Sequence, residues 1–230
     1  MRIVDLSQDL FTGMPAFEDH PRYSMEVAVT HEQRRGLKDA LTVSPVVHSI
    51  HLTEHTGTHV DAFNHFGIPF AGRSVDAMPL EMFYTDGICL DFTHKGLLET
   101  IEPEEIDRAA RVAGVEIRPK STVLLCTDHY RRHFGTEEWT KGPGITPDAA
   151  RWLAGKGVYA FGVETRSPGI LGKGNVEIHT ISGERNFTHY ENLVNLYQLL
   201  GVGVFQFIAF PLKIRGGTGS PVRAVAILED

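Results

Sequence analysis

Three histidines and one aspartate occupy alternate positions in a short stretch of the chain. The stretch runs from His55 to His65 and places His55, His59, Asp61 and His65 at odd positions only. Alternate side chains of an extended backbone point to the same side, so these four polar groups would face one pocket. Neutral imidazole and carboxylate together favour a borderline divalent metal such as zinc or manganese.

The residues between these four fit an extended backbone. Gly57 leaves space where a side chain would crowd a ligand. Val60 and Ala62, at even positions, can pack into the core behind the pocket. A helix would turn Asp61 well away from the histidines. The alternative is a chance cluster of solvated or hydrogen-bonded histidines in a chain that has 12 of them, but four groups in phase favour a metal site.

A second pair of candidate ligands lies much later in the chain. His179 and Glu191 enclose a polar segment, 182–186, and Glu191 directly precedes a pattern that predicts a helix over 192–200. A carboxylate at that position suits helix capping and the helix dipole. The pattern alone therefore favours capping over metal binding for Glu191.

The composition is that of an ordinary globular domain, with 42% hydrophobic and 22% charged residues. A net charge of −7 argues against a nucleic-acid partner, whose phosphates require a basic surface. No apolar run has the length of a membrane span or the character of a secretory signal. We therefore expect a cytoplasmic protein. Cys89 and Cys126 lie in separate apolar runs and are expected to be buried thiols.

Many short apolar segments with a few helices between them predict a mixed α/β fold, a sheet core with helices packed on it, in one domain spanning 1–230. Strands are predicted at 3–6, 24–30, 41–54, 87–92, 122–127, 158–163, 204–210 and 222–228. Helices are predicted at 102–114, from Thr146 to Gly155 or Gly157, and at 192–200. The loop over 10–21 carries Phe17, which is expected in the core or on a pocket wall.

The stretch from His55 to His65 resembles the His-x-Gly-Thr-His-x-Asp-x-x-x-His signature of the metal-dependent cyclase family, which includes bacterial kynurenine formamidases and isatin hydrolases. Three other segments are similar to conserved parts of that family. They are Gly162-Val163-Glu164-Thr165, Glu191-Asn192-Leu193, and 211–214 together with 219–224. The resemblance covers most of the chain.

The resemblance implies a swivelling β/β/α domain, usually assembled as a homodimer or a higher homo-oligomer. It implies that His55, His59 and Asp61 hold a first Zn²⁺ or Mn²⁺ ion. In the formamidase-like members Asp61 would also bridge to a second ion held by His179 and Glu191, whereas the isatin hydrolases use one ion. The family keeps the same interval between its late histidine and glutamate, which favours ligation over capping for Glu191.

The resemblance also implies an activity. The protein would hydrolyse an amide-type bond, in a formamide, a lactam or a cyclic imide, with metal-activated water and His65 as the acid/base residue. Phe17 and Phe63 are the candidate contacts to a substrate ring, because the family commonly has proline at the position of Phe63 and a tryptophan in the N-terminal loop. The alternatives are a lyase or cyclase of the same fold and a metal-binding protein without turnover.

Two further predictions concern residues near the candidate site. His189 lies close to Glu191 in the sequence, and we assign it a structural role. Glu164 and Arg166 are expected to pair at the edge of the pocket or on the surface.

Overall fold

The computed structural model describes residues 1–34 and 44–229. The strands are β1 (Arg2–Asp5), β2 (Ser24–Val29), β3 (Val47–His51), β4 (His59–Asp61), β5 (Tyr84–Asp91), β6 (Thr100–Ile101), β7 (Thr122–Cys126), β8 (Gly144–Ile145), β9 (Ala160–Val163), β10 (Thr188–Glu191), β11 (Phe205–Ile208), β12 (Gly219–Pro221) and β13 (Val225–Leu228). The α-helices are α1 (His31–Arg34), α2 (Pro103–Ala113), α3 (His129–His133), α4 (Pro147–Gly155) and α5 (Asn175–Arg185). Short 3₁₀ turns lie at Phe63–Phe66, Ile68–Phe70, Val75–Ala77, Leu80–Phe83, Glu137–Lys141 and Leu196–Leu199.

One large sheet dominates the structure. Its nine strands lie in the order β1-β13-β11-β5-β7-β9-β10-β4-β12. The central strands β5, β7, β9 and β10 are parallel, and the strands on both flanks are antiparallel. A parallel centre needs apolar residues on both faces, and β7 and β9 are buried at every position. The predicted mixed α/β class is confirmed.

The two faces of this sheet contribute to two separate cores. On β5, Ile88 and Leu90 belong to the core that contains the apolar residues of α2, α4 and α5. Cys89, between them, belongs to the other core, which holds the 3₁₀ turns between 63 and 83 and the antiparallel flank. Cys89 and Cys126 are both buried and free, as predicted.

Two of the predicted helices are confirmed, and their ends follow from their capping residues. α2 begins at Pro103, directly after its N-cap residue Glu102. It ends at Ala113, and the C-cap residue Gly114 has a left-handed conformation with φ of 67°. At the start of α4 the hydroxyl oxygen of Thr146 accepts a hydrogen bond of 3.2 Å from the amide of Ala149.

The helix predicted over 192–200 is wrong. Apart from one 3₁₀ turn this segment is irregular, because Asn192 and Asn195 adopt positive φ angles of 54° and 61°. Glu191 is the last residue of β10 and therefore does not cap a helix. A helix lies earlier instead, at α5, whose β-branched residues and Gly183 gave no helical signal.

β2 and β3 form a hairpin-like arm that pairs with no other strand of the described residues. The strand predicted over 41–54 is confirmed over Val47–His51, and its positions 41–43 lie outside the described residues. Within the described ranges, no helix combines the length and apolarity that a membrane span needs.

Candidate metal centre

Strands β4 and β10 place four potential ligands on one face of an antiparallel pair. Glu191 lies directly opposite His59. Side chains alternate along each strand, so His59 and Asp61 share this face with His189 and Glu191. Val60, between the two β4 ligands, points the other way and is fully buried in the core, as the sequence predicts.

The ligand atoms of these four residues converge. Nε2 of His59 lies 3.4 Å from Oδ1 of Asp61 and 3.4 Å from Oε2 of Glu191. Nε2 of His189 lies 3.0 Å from Oδ2 of Asp61 and 3.4 Å from Oε1 of Glu191. Each carboxylate therefore presents one oxygen to each histidine.

His55 and His65 reach the same point from irregular segments. His55 lies in a turn before β4, with Nδ1 2.8 Å from Oδ1 of Asp61. His65 lies in the 3₁₀ turn after β4, with Nε2 3.6 Å from Oδ2 of Asp61. The extended backbone predicted for the whole stretch is therefore wrong outside β4, because Gly57, at φ of 65°, bends the chain. All four predicted residues nevertheless converge.

His179 approaches Asp61 from α5. Its Nε2 lies 3.7 Å from Oδ2 of Asp61, and its Nδ1 lies 2.8 Å from the carbonyl oxygen of Asn175. His59 has the same arrangement, with Nδ1 2.8 Å from the carbonyl oxygen of Gly57. A backbone carbonyl that accepts a hydrogen bond from Nδ1–H keeps the proton on Nδ1 and leaves the Nε2 lone pair for a metal ion.

Two overlapping groups of donors result, and Asp61 belongs to both. The first consists of His55, His59 and Asp61, and the second of Asp61, His179, His189 and Glu191. Within each group the donor atoms lie within 4.8 Å of one another. Ligand atoms around a tetrahedral zinc ion, with bonds of about 2.0–2.1 Å, lie about 3.3 Å apart. The measured separations scatter around that value, and an imidazole and carboxylate set suits a borderline divalent ion.

A cavity of about 250 Å³ opens onto these donors. Its lining includes Met14 and Phe17 of the N-terminal loop, Trp139 and Arg166. The structure thus places Phe17 on the cavity wall, with the guanidinium of Arg166 stacked 4.5 Å from the centre of its ring.

The sequence itself identifies the family. Residues 4–169 match the family model described as "Putative cyclase". The protein belongs to the cyclase family. The resemblance of the histidine stretch to that family is thereby confirmed.

Relatives of this protein with similar length are enzymes with named activities. Kynurenine formamidase from Salinibacter ruber is 29% identical over 228 residues, which cover 98% of this chain and 97% of the relative. Isatin hydrolase from Roseibium aggregatum is 27% identical over 192 residues, which cover 77% and 73% of the two chains. The structure of isatin hydrolase A from Labrenzia aggregata, bound to benzyl benzoate, matches with a TM-score of 0.85 and 29% identity over 100% of this chain and 94% of its own.

The surroundings of Asp61 and His65 shift the pKa values of both groups. Burial raises the pKa of Asp61, but its interactions with His189, His55 and His59 outweigh burial and hold that pKa well below its usual range. Burial lowers the pKa of His65 to about 4. At neutral pH the protein therefore has an ionised Asp61 beside an uncharged His65.

Phe63 does not line this cavity, contrary to the prediction of a substrate contact. It is 5% exposed, lies in the core and packs under the guanidinium of Arg73, which is 4.1 Å from the centre of its ring. The 3₁₀ turn that begins at Phe63 directs this ring inward, whereas His65, two residues later, faces the cluster.

The predicted pair of Glu164 and Arg166 is also absent. Glu164 is 1% exposed and accepts hydrogen bonds from the amides of Thr127 and Asp128. Burial raises its pKa to about 7 against the effect of these donors. Arg166 instead binds the carboxylate of Glu18 at 3.0 Å.

His189 is the member of the two donor groups for which the sequence analysis favoured a structural role. The signal that could have identified it is alternation, since His189 and Glu191 are two positions apart on a strand. The local pattern hides this alternation, because it indicates a helix directly after Glu191.

Proposed function

We propose that this protein is a metal-dependent hydrolase of amide-type bonds in small, ring-containing formamides, lactams or cyclic imides. The observation that carries the proposal is the convergence of imidazoles and carboxylates on Asp61 beside a cavity. The relatives named kynurenine formamidase and isatin hydrolase support hydrolysis of such a bond.

The two donor groups fit a divalent metal, with zinc and manganese as the candidate ions. His55, His59 and Asp61 would hold one ion, and His179 and Glu191 would hold a second that shares Asp61. A bound ion of this kind supplies a polarised carbonyl and a water molecule whose pKa falls from about 16 towards about 7. Because Asp61 is ionised, its carboxylate could be a ligand of both ions.

His65 is the proposed acid/base residue. Its ring centre lies 4.2 Å from that of His55 and 5.7 Å from that of His179, and its side chain is 34% exposed. It therefore touches the cluster and remains accessible to a substrate. Its pKa is lowered to about 4, so at neutral pH the ring is uncharged and has a free nitrogen lone pair, which is the form that a general base needs to accept a proton. It would return that proton to the leaving nitrogen.

The wall of the cavity supports a substrate with a ring. Phe17, Met14 and Trp139 contribute apolar surface to the lining of the cavity. Aromatic rings stack on such surfaces, while a few polar groups fix the orientation of the ligand. Phe17 is the residue that we propose as the principal contact to the substrate ring.

We further propose that the chain acts as a homodimer or a higher homo-oligomer. Met25 and Ile50 lie opposite each other in the β2–β3 arm and are 50% and 54% exposed. A two-stranded hairpin is at best marginally stable alone in water, so this arm needs a surface to cover it. A second copy of the chain would supply that surface.

Metal analysis combined with product analysis tests the proposed function. Purified protein should contain divalent metal, and formanilides, isatins or cyclic imides should yield formate or a new carboxylate in proportion to the substrate consumed. In ¹⁸O-labelled water the new acid should carry the label. A product without labelled oxygen would support the lyase or cyclase alternative, and bound metal without any turnover would support a metal-binding protein.

A further inference from the structure

His189 is a buried imidazole with an unusual lack of hydrogen bonds. It is fully buried, and neither ring nitrogen has a hydrogen-bond partner among the described residues. Nε2 nevertheless lies 3.0 Å from Asp61 and 3.4 Å from Glu191. The distances are short, but neither contact has the direction of a hydrogen bond. Buried polar groups nearly always have a hydrogen-bond partner. Nε2 of His189 has none among the described residues, so it requires a partner of another kind.

The register of the sheet explains why His189 faces the two carboxylates. Glu191 pairs with His59 across β10 and β4. Continuing this antiparallel register by two residues brings His189 opposite Asp61 on the same face. The hydroxyl of Thr188 also donates a hydrogen bond of 2.5 Å to the carbonyl oxygen of Asp61, which fixes the two strands at this point.

Apolar rings enclose His189 and fix its orientation. The ring of Phe66 stacks on it at 5.4 Å with an interplanar angle of 24°, and Phe161 lies 5.5 Å away. The ring of His179 lies 5.0 Å away and nearly perpendicular, at 79°. These walls hold the imidazole in one orientation, with Nε2 towards the carboxylates.

We propose that His189 is a fourth protein ligand of the second metal ion, together with Asp61, His179 and Glu191. The proposal rests on the proposed function, because it requires that the cluster binds metal. Four protein ligands complete a tetrahedral site, whereas the three ligands of the first site leave a position open. Closed sites are typical of structural ions, and open sites are typical of catalytic ions.

The two ions would therefore have different roles. The second ion would hold Asp61 and Glu191 in place and offset their charge. The first, at His55, His59 and Asp61, would be the one accessible to water and substrate. Loss of the second ion should therefore disturb the position of Asp61, while the first ion should stay accessible from the cavity.

Metal titration of the full chain tests the role of His189. We would remove metal with a chelator and titrate with Zn²⁺ in wild type, in His189→Gln and in His189→Leu. Wild type should bind two ions per chain. Loss of an outer-shell partner costs about 10- to 100-fold in metal affinity, so loss of a direct ligand should weaken the second ion by more than about 100-fold. Glutamine could still donate a hydrogen bond to Asp61, whereas leucine could not. Equal losses of metal affinity in the two variants would therefore indicate that His189 binds the metal and does not act through a hydrogen bond to Asp61.

Matched variants make the titration specific. His179→Gln should remove the second ion to the same extent as His189→Gln. His20→Gln changes a histidine that lines the cavity outside both donor groups, and it should leave both ions bound. Retention of both ions at wild-type affinity in the two His189 variants would overturn the inference while leaving the proposed function intact. A wild-type chain that binds no ion would overturn both.

A measurement on the wild type does not depend on how the variants fold. An anomalous-difference map of a zinc-loaded crystal should place Nε2 of His189 about 2.0–2.1 Å from the second ion. A separation well beyond bonding distance, with the second ion present on His179 and Glu191, would overturn the assignment.

Discussion

A Cβ atom on Gly219 would lie 2.7 Å from Cε1 of His55, closer than real side chains approach. Gly219 is also paired with Asp61 across β12 and β4. The ring of His55 therefore lies against bare backbone, where its Nε2 is 3.1 Å from the hydroxyl of Thr218. Glycine at this position allows the imidazole to reach Asp61.

Gly219→Ala is expected to displace His55 and weaken the first metal ion. Because the new methyl group moves a proposed ligand without removing it, the loss of affinity should be in the range of about 10- to 100-fold. Competition with a chromogenic chelator measures this affinity. Gly96→Ala is the control, since its added Cβ meets only the side chain of Glu99 at ordinary contact distance. Wild-type affinity in Gly219→Ala would exclude His55 as a ligand in the position described.

His65→Ala is expected to lower the rate of hydrolysis without removing metal. General acid–base groups contribute about 10²- to 10⁴-fold, and kcat should fall by that amount. The metal content should stay unchanged, because the side chain touches Asp61 only at 3.6 Å and faces the cavity. Steady-state kinetics with a metal assay on the same sample measure both. Unchanged turnover in a metal-loaded variant would show that His65 is not the acid/base residue.

A local sequence pattern predicts only part of this site. Alternation along a strand is enough to put His59 and Asp61 on one face. It does not explain His55 and His65, which depend on a turn at Gly57 and on a 3₁₀ turn. Their convergence became predictable through the family signature and not through geometry.

The later part of the site depends on contacts between distant residues. Asn192 has a left-handed conformation and donates a hydrogen bond of 3.1 Å to the carbonyl oxygen of Gly57. The hydroxyl of Thr58 donates to the carbonyl oxygen of Asn192. These contacts end β10 at Glu191 and prevent the helix that the local pattern predicts. Local propensity could not reveal them, because the partners are more than a hundred positions apart in the sequence.

Ile50→Asp in the β2–β3 arm is expected to dissociate the proposed oligomer. A charge at a half-exposed apolar position should oppose burial of the arm by a second copy. Sedimentation equilibrium should show a lower mass than wild type. Val112→Asp, at an 84% exposed position on α2, is the control that should leave the mass unchanged. Equal masses for wild type and both variants would exclude the arm as the interface.

The buried carboxyl of Glu164 is expected to make stability depend on pH. Burial raises its pKa from 4.5 to about 7 in the folded chain. Between these two values the folded state binds a proton that the unfolded state does not bind. The stability that this group contributes is therefore fully present below about pH 4.5 and is lost as the pH rises through about 7.

Glu164→Gln isolates this effect, because the amide oxygen can still accept hydrogen bonds from Thr127 and Asp128 without acquiring a charge. Relative to wild type, the free energy of unfolding of the variant should rise by up to about 3 kcal/mol between about pH 4.5 and about pH 8. Urea unfolding of metal-free protein measures the difference without interference from metal binding. Glu104→Gln, at an exposed position on α2, should show no such trend. A constant difference between wild type and Glu164→Gln over this range would mean that Glu164 stays ionised in the fold, stabilised by the two amides that face it.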